Sequence, residues 1–129
     1  MAKDDHLDML ERGATAWSAW RAEHPEAPDL SGASLRGRDL SGFDLAHVDL
    51  RGADLRGTRL CDAHLVGARL DGTNLFKAVL DGADLAGASL YGAQFLDCAQ
   101  LVSARHWSSA LRDDALACGA TLPDRIPSR

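Results

Sequence analysis

Apolar side chains recur at every fifth position through the middle of the chain. The series has no gap and runs through Leu30, Leu35, Leu40, Leu45, Leu50, Leu55, Leu60, Leu65, Leu70, Leu75, Leu80, Leu85, Leu90 and Phe95. Most members follow a small residue, Ala or Thr, by two positions and precede a Gly by two. In an α-helix five residues turn through about 500°, and in a flat strand residues five apart point to opposite sides, so neither element buries this series. The period therefore predicts an all-β solenoid that turns a corner once per repeat and stacks its coils, with backbone groups paired between coils.

Residues 4–23 carry a different pattern, in which apolar side chains recur at steps of three and four. These side chains belong to Leu7, Leu10, Ala14, Trp17 and Trp20. The spacing predicts an amphipathic helix, which Gly13 either kinks or leaves straight. Terminal repeats of a solenoid need caps, so we expect the apolar face of this helix to cover the first coil. Residues 1–27 are therefore predicted to form an N-terminal cap and lead-in, and residues 28–101 the β-helix.

The five-residue register slips by one position between Phe95 and Leu101. In the segment that follows, one helical face would carry Trp107, Ala110, Leu111, Ala115 and Leu116. The pattern predicts that residues 102–129 form a C-terminal capping helix and a tail. The tail over residues 121–129 has two prolines and polar residues, so we expect it to be frayed.

The repeats "GADLRG", "GTNLFK" and "GADLAGASL" resemble those of the pentapeptide-repeat family, in which Ala, then Asp or Asn, then Leu recurs. The resemblance covers residues 28–101. It implies a right-handed quadrilateral parallel β-helix with four repeats per coil, hence just under four coils. The lead-in, with Trp17, Trp20 and Arg21, resembles that of bacterial members of the family that carry a Trp-x-x-Trp-Arg helix before the first repeat.

Charge narrows the classes of partner. The chain has 19 acidic and 14 basic residues, a formal net charge of −5, whereas proteins that bind nucleic acid directly need clustered Lys and Arg. No apolar run approaches the 18 or so residues of a membrane span, and the N-terminus carries carboxylates where a secretory signal carries basic residues. We therefore expect a cytoplasmic protein that binds neither nucleic acid nor membrane.

Few residues have the chemistry or the spacing of a catalytic or metal-binding site. The three cysteines, Cys61, Cys98 and Cys118, fit no CxxC spacing, so we expect reduced thiols. The five histidines lack metal-ligand spacings. Cys61, Asp62 and His64 have the residue types of a catalytic triad, but neighbouring positions in this repeat project from different sides of a corner. The sequence thus predicts no catalytic residue, cofactor, metal or small-molecule substrate, and no enzyme.

Several residues depart from the simplest repeat. The recurrent Asp residues, such as Asp49 and Asp54, form either an acidic stripe or, as is more common, local turns in which the carboxylate accepts a backbone N–H.

Arg38 occupies an inward position and needs a partner, for which Asp8 or Glu11 of the cap is the candidate. Bulky Phe43 and Val48, also at inward positions, are expected to distort the first coils.

With four repeats per coil, residues 20 apart stack on one side. An outward column would then contain Arg36, Arg56, Phe76 and Leu96, with Tyr91 on the neighbouring side. Exposed apolar residues one coil apart are unusual. Either the C-terminal helix covers them, or the five residues bind a partner protein or a second copy of the chain, as in a homodimer.

Two functions fit this fold. The first is a non-enzymatic protein-interaction or scaffold module built on a rigid β-helix. The second follows from resemblance to the quinolone-resistance members of the family and is a DNA-mimicking regulator of a DNA-binding enzyme such as DNA gyrase. Just under four coils about 4.8 Å apart give a rod of roughly 17 Å, whereas one turn of B-DNA is about 34 Å. Length and mixed charge therefore favour the interaction module.

Overall fold

A computed structural model describes residues 3–123. It contains the helices α1 (Asp4–Glu11), α2 (Ala14–Glu23) and α3 (Cys98–Val102), and short 3-10 turns at Trp107–Ser109 and Asp114–Leu116. Between α2 and α3 the chain forms stacked coils joined by isolated parallel β-bridges, with no longer strand among the described residues. The tail predicted to be frayed lies largely outside the described residues.

The coils repeat every 20 residues, which is four repeats. Bridges join residues 20 apart from Asp29 and Asp49 through to Asn74 and Gln94. Backbone amides pair in the same register, as in the bond from the Leu55 amide to the Asn74 carbonyl at 2.9 Å. The hydrogen bonds therefore run between coils, and the rows of Leu side chains are left to form the core.

The Leu layer and the small residues two positions before it fill the interior. Every Leu of the series from Leu30 to Leu90 is buried. Two inward positions carry Thr, and their hydroxyl groups are satisfied internally, Thr58 donating to the Leu35 carbonyl and Thr73 to the Leu70 carbonyl, both at 2.8 Å. The inward side of each repeat is thus apolar or fully hydrogen-bonded, as a buried surface requires.

Phe43 and Val48 do not distort the coils as the sequence suggested. Both side chains are buried, and the bridge from Asp44 to His64 keeps the 20-residue spacing. Both lie in the first coil and belong to the same buried cluster as Trp17 of helix α2.

The N-terminal cap is present and is broken into two helices at Gly13, whose φ of 100° is a left-handed conformation that favours glycine. Trp17 is fully buried, and its indole Nε1 donates to the Asp44 carbonyl at 2.7 Å. On another side the Asp29 amide donates to His6 Nδ1 at 2.9 Å. The two helices therefore lie against the first coil, and they pair backbone groups that this coil leaves open.

Arg38 forms an ion pair with Glu11 of the cap, one of the two predicted partners. The Arg38 side chain is 43% exposed. Because Arg38 lies in the first coil, its long side chain reaches the open end of the stack and stays hydrated.

The predicted C-terminal capping helix was wrong. The chain instead continues a looser fourth coil, in which Arg105 bridges to Asp84 and Leu111 bridges to Ser89. These separations are 21 and 22 residues, so α3 and the turn after it absorb the extra residues. The exposed backbone of the third coil requires partners along its edge, and this demand outweighs the helical spacing of the side chains.

Phe95 was predicted to belong to the inward series, and this too was wrong. Its φ is 58°, so the chain turns two residues early, and its side chain is 65% exposed. Asp97 then caps α3, accepting a hydrogen bond from the Gln100 amide at 2.8 Å. Leu101, on α3, joins the buried core cluster in this last coil.

Arg112 is a buried cation that sequence reasoning missed. It is 2% exposed, and its guanidinium donates to the carbonyl oxygens of Ser108, Ala110, Leu116 and Ala117. The ring of Trp107 lies 5.3 Å from it. Arg112 thus ties together the two 3-10 turns of the C-terminal segment.

Cys98 and Cys118 form a disulfide, so the prediction of three reduced thiols was wrong. The disulfide joins the start of α3 to the segment after the second 3-10 turn, across the irregular last coil. Cys61 is free and half-buried.

We expect the double change Cys98→Ser with Cys118→Ser to lower the free energy of unfolding by about 3 kcal/mol, because the crosslink restricts the unfolded chain over a loop of this size. Denaturant titration followed by circular dichroism measures the loss. Cys61→Ser is the control and should leave the midpoint unchanged. Unfolding of the parent that is the same with and without reductant would contradict a stabilising role.

Candidate interaction surface

One side of the stack carries the predicted outward column. Arg36, Arg56 and Phe76 each follow an inward Leu at 20-residue spacing, and together they border a shallow groove floored by Gly37 and Gly57. A Cβ atom built on either glycine would meet no atom within 4 Å, so the groove is open. This groove thus brings together three of the five predicted site residues.

Two phenylalanines dominate the C-terminal half of this side. Phe76 is 47% exposed, Phe95 is 65% exposed, and their rings meet edge to face with centroids 5.7 Å apart. The Lys77 ammonium lies 5.4 Å from the Phe76 ring centroid, a cation–π distance. We call Arg36, Arg56, Phe76, Lys77 and Phe95 the aromatic face.

Leu96 and Tyr91 are the remaining predicted site residues. Leu96 is half-buried against the core and lines a second groove with Phe76, Lys77 and Phe95. Phe95 takes the exposed place that was predicted for Leu96, because the coil leaves its register at this point. Tyr91 is half-buried on the neighbouring side. Sequence reasoning missed Phe95 and Lys77. The one-residue register slip before Leu101 was the signal that the last repeat would not follow the others.

Local turns hold the aromatic face in place. The Phe76 amide donates to Asn74 Oδ1 at 3.1 Å, and the Phe76 carbonyl accepts from the Gly57 amide at 2.9 Å. Equivalent turns, in which an Asp carboxylate accepts the amide two residues later, occur at Asp29, Asp39, Asp44, Asp49, Asp54 and Asp84. The turn-forming interpretation of the Asp residues is confirmed, and the backbone that presents Phe76 is fixed from two directions.

Arg56 is held by Asp54, the acid two residues before it. Its Nε and Nη2 donate to the two carboxylate oxygens at 2.9 and 2.7 Å. This side-chain hydrogen bonding lowers the pKa of Asp54 to about 2. The pair remains ionised through the physiological range, and Arg56 is oriented along the face.

Among residues 3–123 no group of three metal-ligating side chains comes together, and no helix there is long and apolar enough to cross a bilayer. Matches to the model of pentapeptide repeats, with eight copies, cover residues 29–65 and 63–98. The chain belongs to the pentapeptide-repeat family. No curated protein matches it significantly.

Solved structures of pentapeptide-repeat proteins are similar to this chain. One, from the thylakoid lumen of Arabidopsis thaliana, is 28% identical over 75% of this chain and 68% of its own, with a TM-score of 0.44. Another, from the cyanobacterium Cyanothece, is 33% identical over 67% of this chain and 58% of its own, with a TM-score of 0.42. HetL of the cyanobacterium Nostoc, a protein involved in heterocyst differentiation regulation, is 34% identical over 64% of this chain and 37% of its own, with a TM-score of 0.33.

Proposed function

We propose that this pentapeptide-repeat protein is a non-enzymatic interaction module, in which a right-handed quadrilateral β-helix presents the aromatic face to another protein. The observation that supports the proposal is the exposed contact between Phe76 and Phe95. Aromatic side chains with arginines beside them are the residues that most often dominate binding energy at protein interfaces.

Rigidity of the scaffold favours binding by this face. Phe76 extends from a corner whose amide and carbonyl are both hydrogen-bonded, and its ring is in contact with Phe95. Side chains ordered before binding lose less conformational entropy when the complex forms. A partner that covers both rings therefore removes their apolar surface from water, and little conformational entropy is lost in ordering them.

Imitation of duplex DNA is less well supported. A mimic needs a continuous acidic surface, but Asp49 and Asp54 are neutralised by bidentate bonds from Arg51 and Arg56. Asp39 lies opposite Arg59 in the next coil, and Asp84 lies opposite Arg105. The interaction module fits this mixed surface better.

We expect the double change Phe76→Ser with Phe95→Ser to abolish capture of the partner while changing the free energy of unfolding by less than about 1 kcal/mol, because both rings point away from the core. Affinity capture from cells of origin, quantified by mass spectrometry against the parent, measures the first effect. Thermal melting measures the second, and light scattering reports any self-association.

Val66→Ser is the matched control, because Val66 occupies the equivalent turn position two sides away, after Leu65. It should leave capture unchanged. Proteins captured equally by the parent and by the double variant would remove the aromatic face as the binding site. A large loss of stability in the double variant would show instead that the rings have a structural role.

A further inference from the structure

The four sides of the coils differ in charge. The side that follows Leu35, Leu55 and Leu75 carries three cations, Arg36, Arg56 and Lys77, against two carboxylates, Asp54 in a bridge position and Asp97 beside Lys77 and Phe95. The opposite side, after Leu45, Leu65 and Leu85, carries Asp44 and Asp84, which lie beside Arg21 of the cap and Arg105 of the last coil. In a chain of net charge −5, the aromatic face is therefore a local positive region.

Two of the three cations are available to a ligand. Arg56 is engaged by Asp54, but neither Arg36 nor Lys77 forms an ion pair within the part of the chain that the structure describes. Lys77 takes a left-handed φ of 59° at a corner where the preceding coils have Gly37 and Gly57. The Lys77 ammonium lies beside the Phe76 ring, and no side chain fills the groove between Phe76 and Arg36.

We propose that the aromatic face binds an extended protein segment in which an aromatic or aliphatic side chain is flanked by Asp or Glu. This inference rests on the proposed function and adds the chemistry of the partner. The apolar side chain packs against Phe76 and Phe95, and the flanking carboxylates pair with Arg36 and Lys77. The glycine floor of the groove lets the main chain of the segment approach closely.

A second copy of this chain is a poorer occupant. A closed dimer would apply the same face of both copies to one another about a two-fold axis. An axis through the aromatic pair would bring Lys77 of each copy toward the other, and each copy already carries a net charge of −5. Like charges placed together oppose association, so charge complementarity favours a different, acidic partner.

Selection from a random 12-residue peptide library displayed on phage tests the proposal, with the parent as the target and the Phe76→Ser with Phe95→Ser variant for counter-selection. We expect enriched peptides to combine at least one Phe, Trp, Tyr, Leu or Ile with several Asp or Glu. Enrichment of basic or uncharged peptides would overturn the proposal, as would the absence of enrichment.

The most enriched peptide is then synthesised, and its affinity is measured by fluorescence anisotropy. Arg36→Glu should weaken binding by about tenfold, which is about 1.4 kcal/mol, and raising the salt concentration should weaken it further. Arg59→Glu makes the same charge change on another side and should alter affinity by less than about twofold. Equal effects of the two variants, or tighter binding of a single-stranded oligonucleotide at the same face, would overturn the acidic-peptide assignment.

The outcomes separate this inference from the proposed function. Capture that depends on Phe76 and Phe95, without enrichment of acidic peptides, would retain the interaction module and reject this partner chemistry. If removal of both rings changed neither capture nor peptide binding, the aromatic face would be rejected as the partner site and as the peptide site.

Discussion

Replacing Leu60 by Asp is expected to abolish folding of the whole chain. Leu60 is completely buried in the middle of the stack, between the buried Leu40 and Leu80 of the adjoining coils. Loss of a buried Leu side chain alone costs about 2–5 kcal/mol, and an unpaired carboxylate in its place adds a large desolvation cost. Domains of this kind have about 5–15 kcal/mol of stability in total. Circular dichroism should show no cooperative melting.

Arg59→Asp provides the control for that change. Residue 59 is adjacent, exposed and at an outward bridge position, where Asp39 lies in the coil before it. The same new side chain one residue away should change stability by no more than about 0.5 kcal/mol. If both variants melted like the parent, the inward direction of the Leu series would be wrong.

The second large effect is expected at the cap, where Trp17→Ala should destabilise the protein by about 3–5 kcal/mol. Trp17 is completely buried over the first coil, and no neighbouring side chain can fill the space of an indole. The change also removes the Nε1 donor to the Asp44 carbonyl, leaving Arg21 as its side-chain donor. The exposed first layer and its unpaired edge would then promote association.

Urea denaturation gives the loss of stability, and size-exclusion chromatography with light scattering gives the association. Thr15→Ala, an exposed change on the same helix, is the control and should leave both unchanged. A Trp17→Ala protein that stayed monomeric with an undiminished unfolding midpoint would mean that the helices lie on the solenoid without stabilising it.

The regular part of the fold could be predicted from the sequence because one physical constraint repeats there without interruption. A Leu every five residues can be buried only if the chain turns regularly, so the inward direction of Leu60 and the outward direction of Phe76 follow from the same period. The cap was predictable for a similar reason, since Trp17 and Trp20 lie on one helical face and the first coil needs a cover.

The C-terminal part could not be predicted, because there two requirements conflict. Side-chain spacing favours a helix around Leu111, whereas the backbone edge of the third coil requires a partner, and pairing with Leu111 meets that requirement at 2.7 and 2.8 Å. Side-chain periodicity contains no information about the unpaired backbone N–H and C=O groups at the edge of a coil, so it could not predict this pairing. Phe95 was misplaced for the same reason, since the change of register begins there.

The candidate site was predicted in outline and missed in its chemistry. Arg36, Arg56 and Phe76 follow from the coil length, but the contact of Phe76 with Phe95 depends on the early turn at Phe95. The disulfide was missed because Cys98 and Cys118 have no recognisable local spacing and are brought together only by the irregular last coil.

The 20-residue coil also determines how changes in chain length alter the surface. Insertion of one repeat between Arg56 and Phe76 would keep every Leu inward but turn all later residues by a quarter of a revolution, carrying the phenylalanines away from the arginines. Insertion of a whole coil would preserve the direction of both and separate them by about 4.8 Å along the rod. Single-repeat duplications therefore reassort the side chains that share a surface, whereas four-repeat duplications lengthen an existing surface.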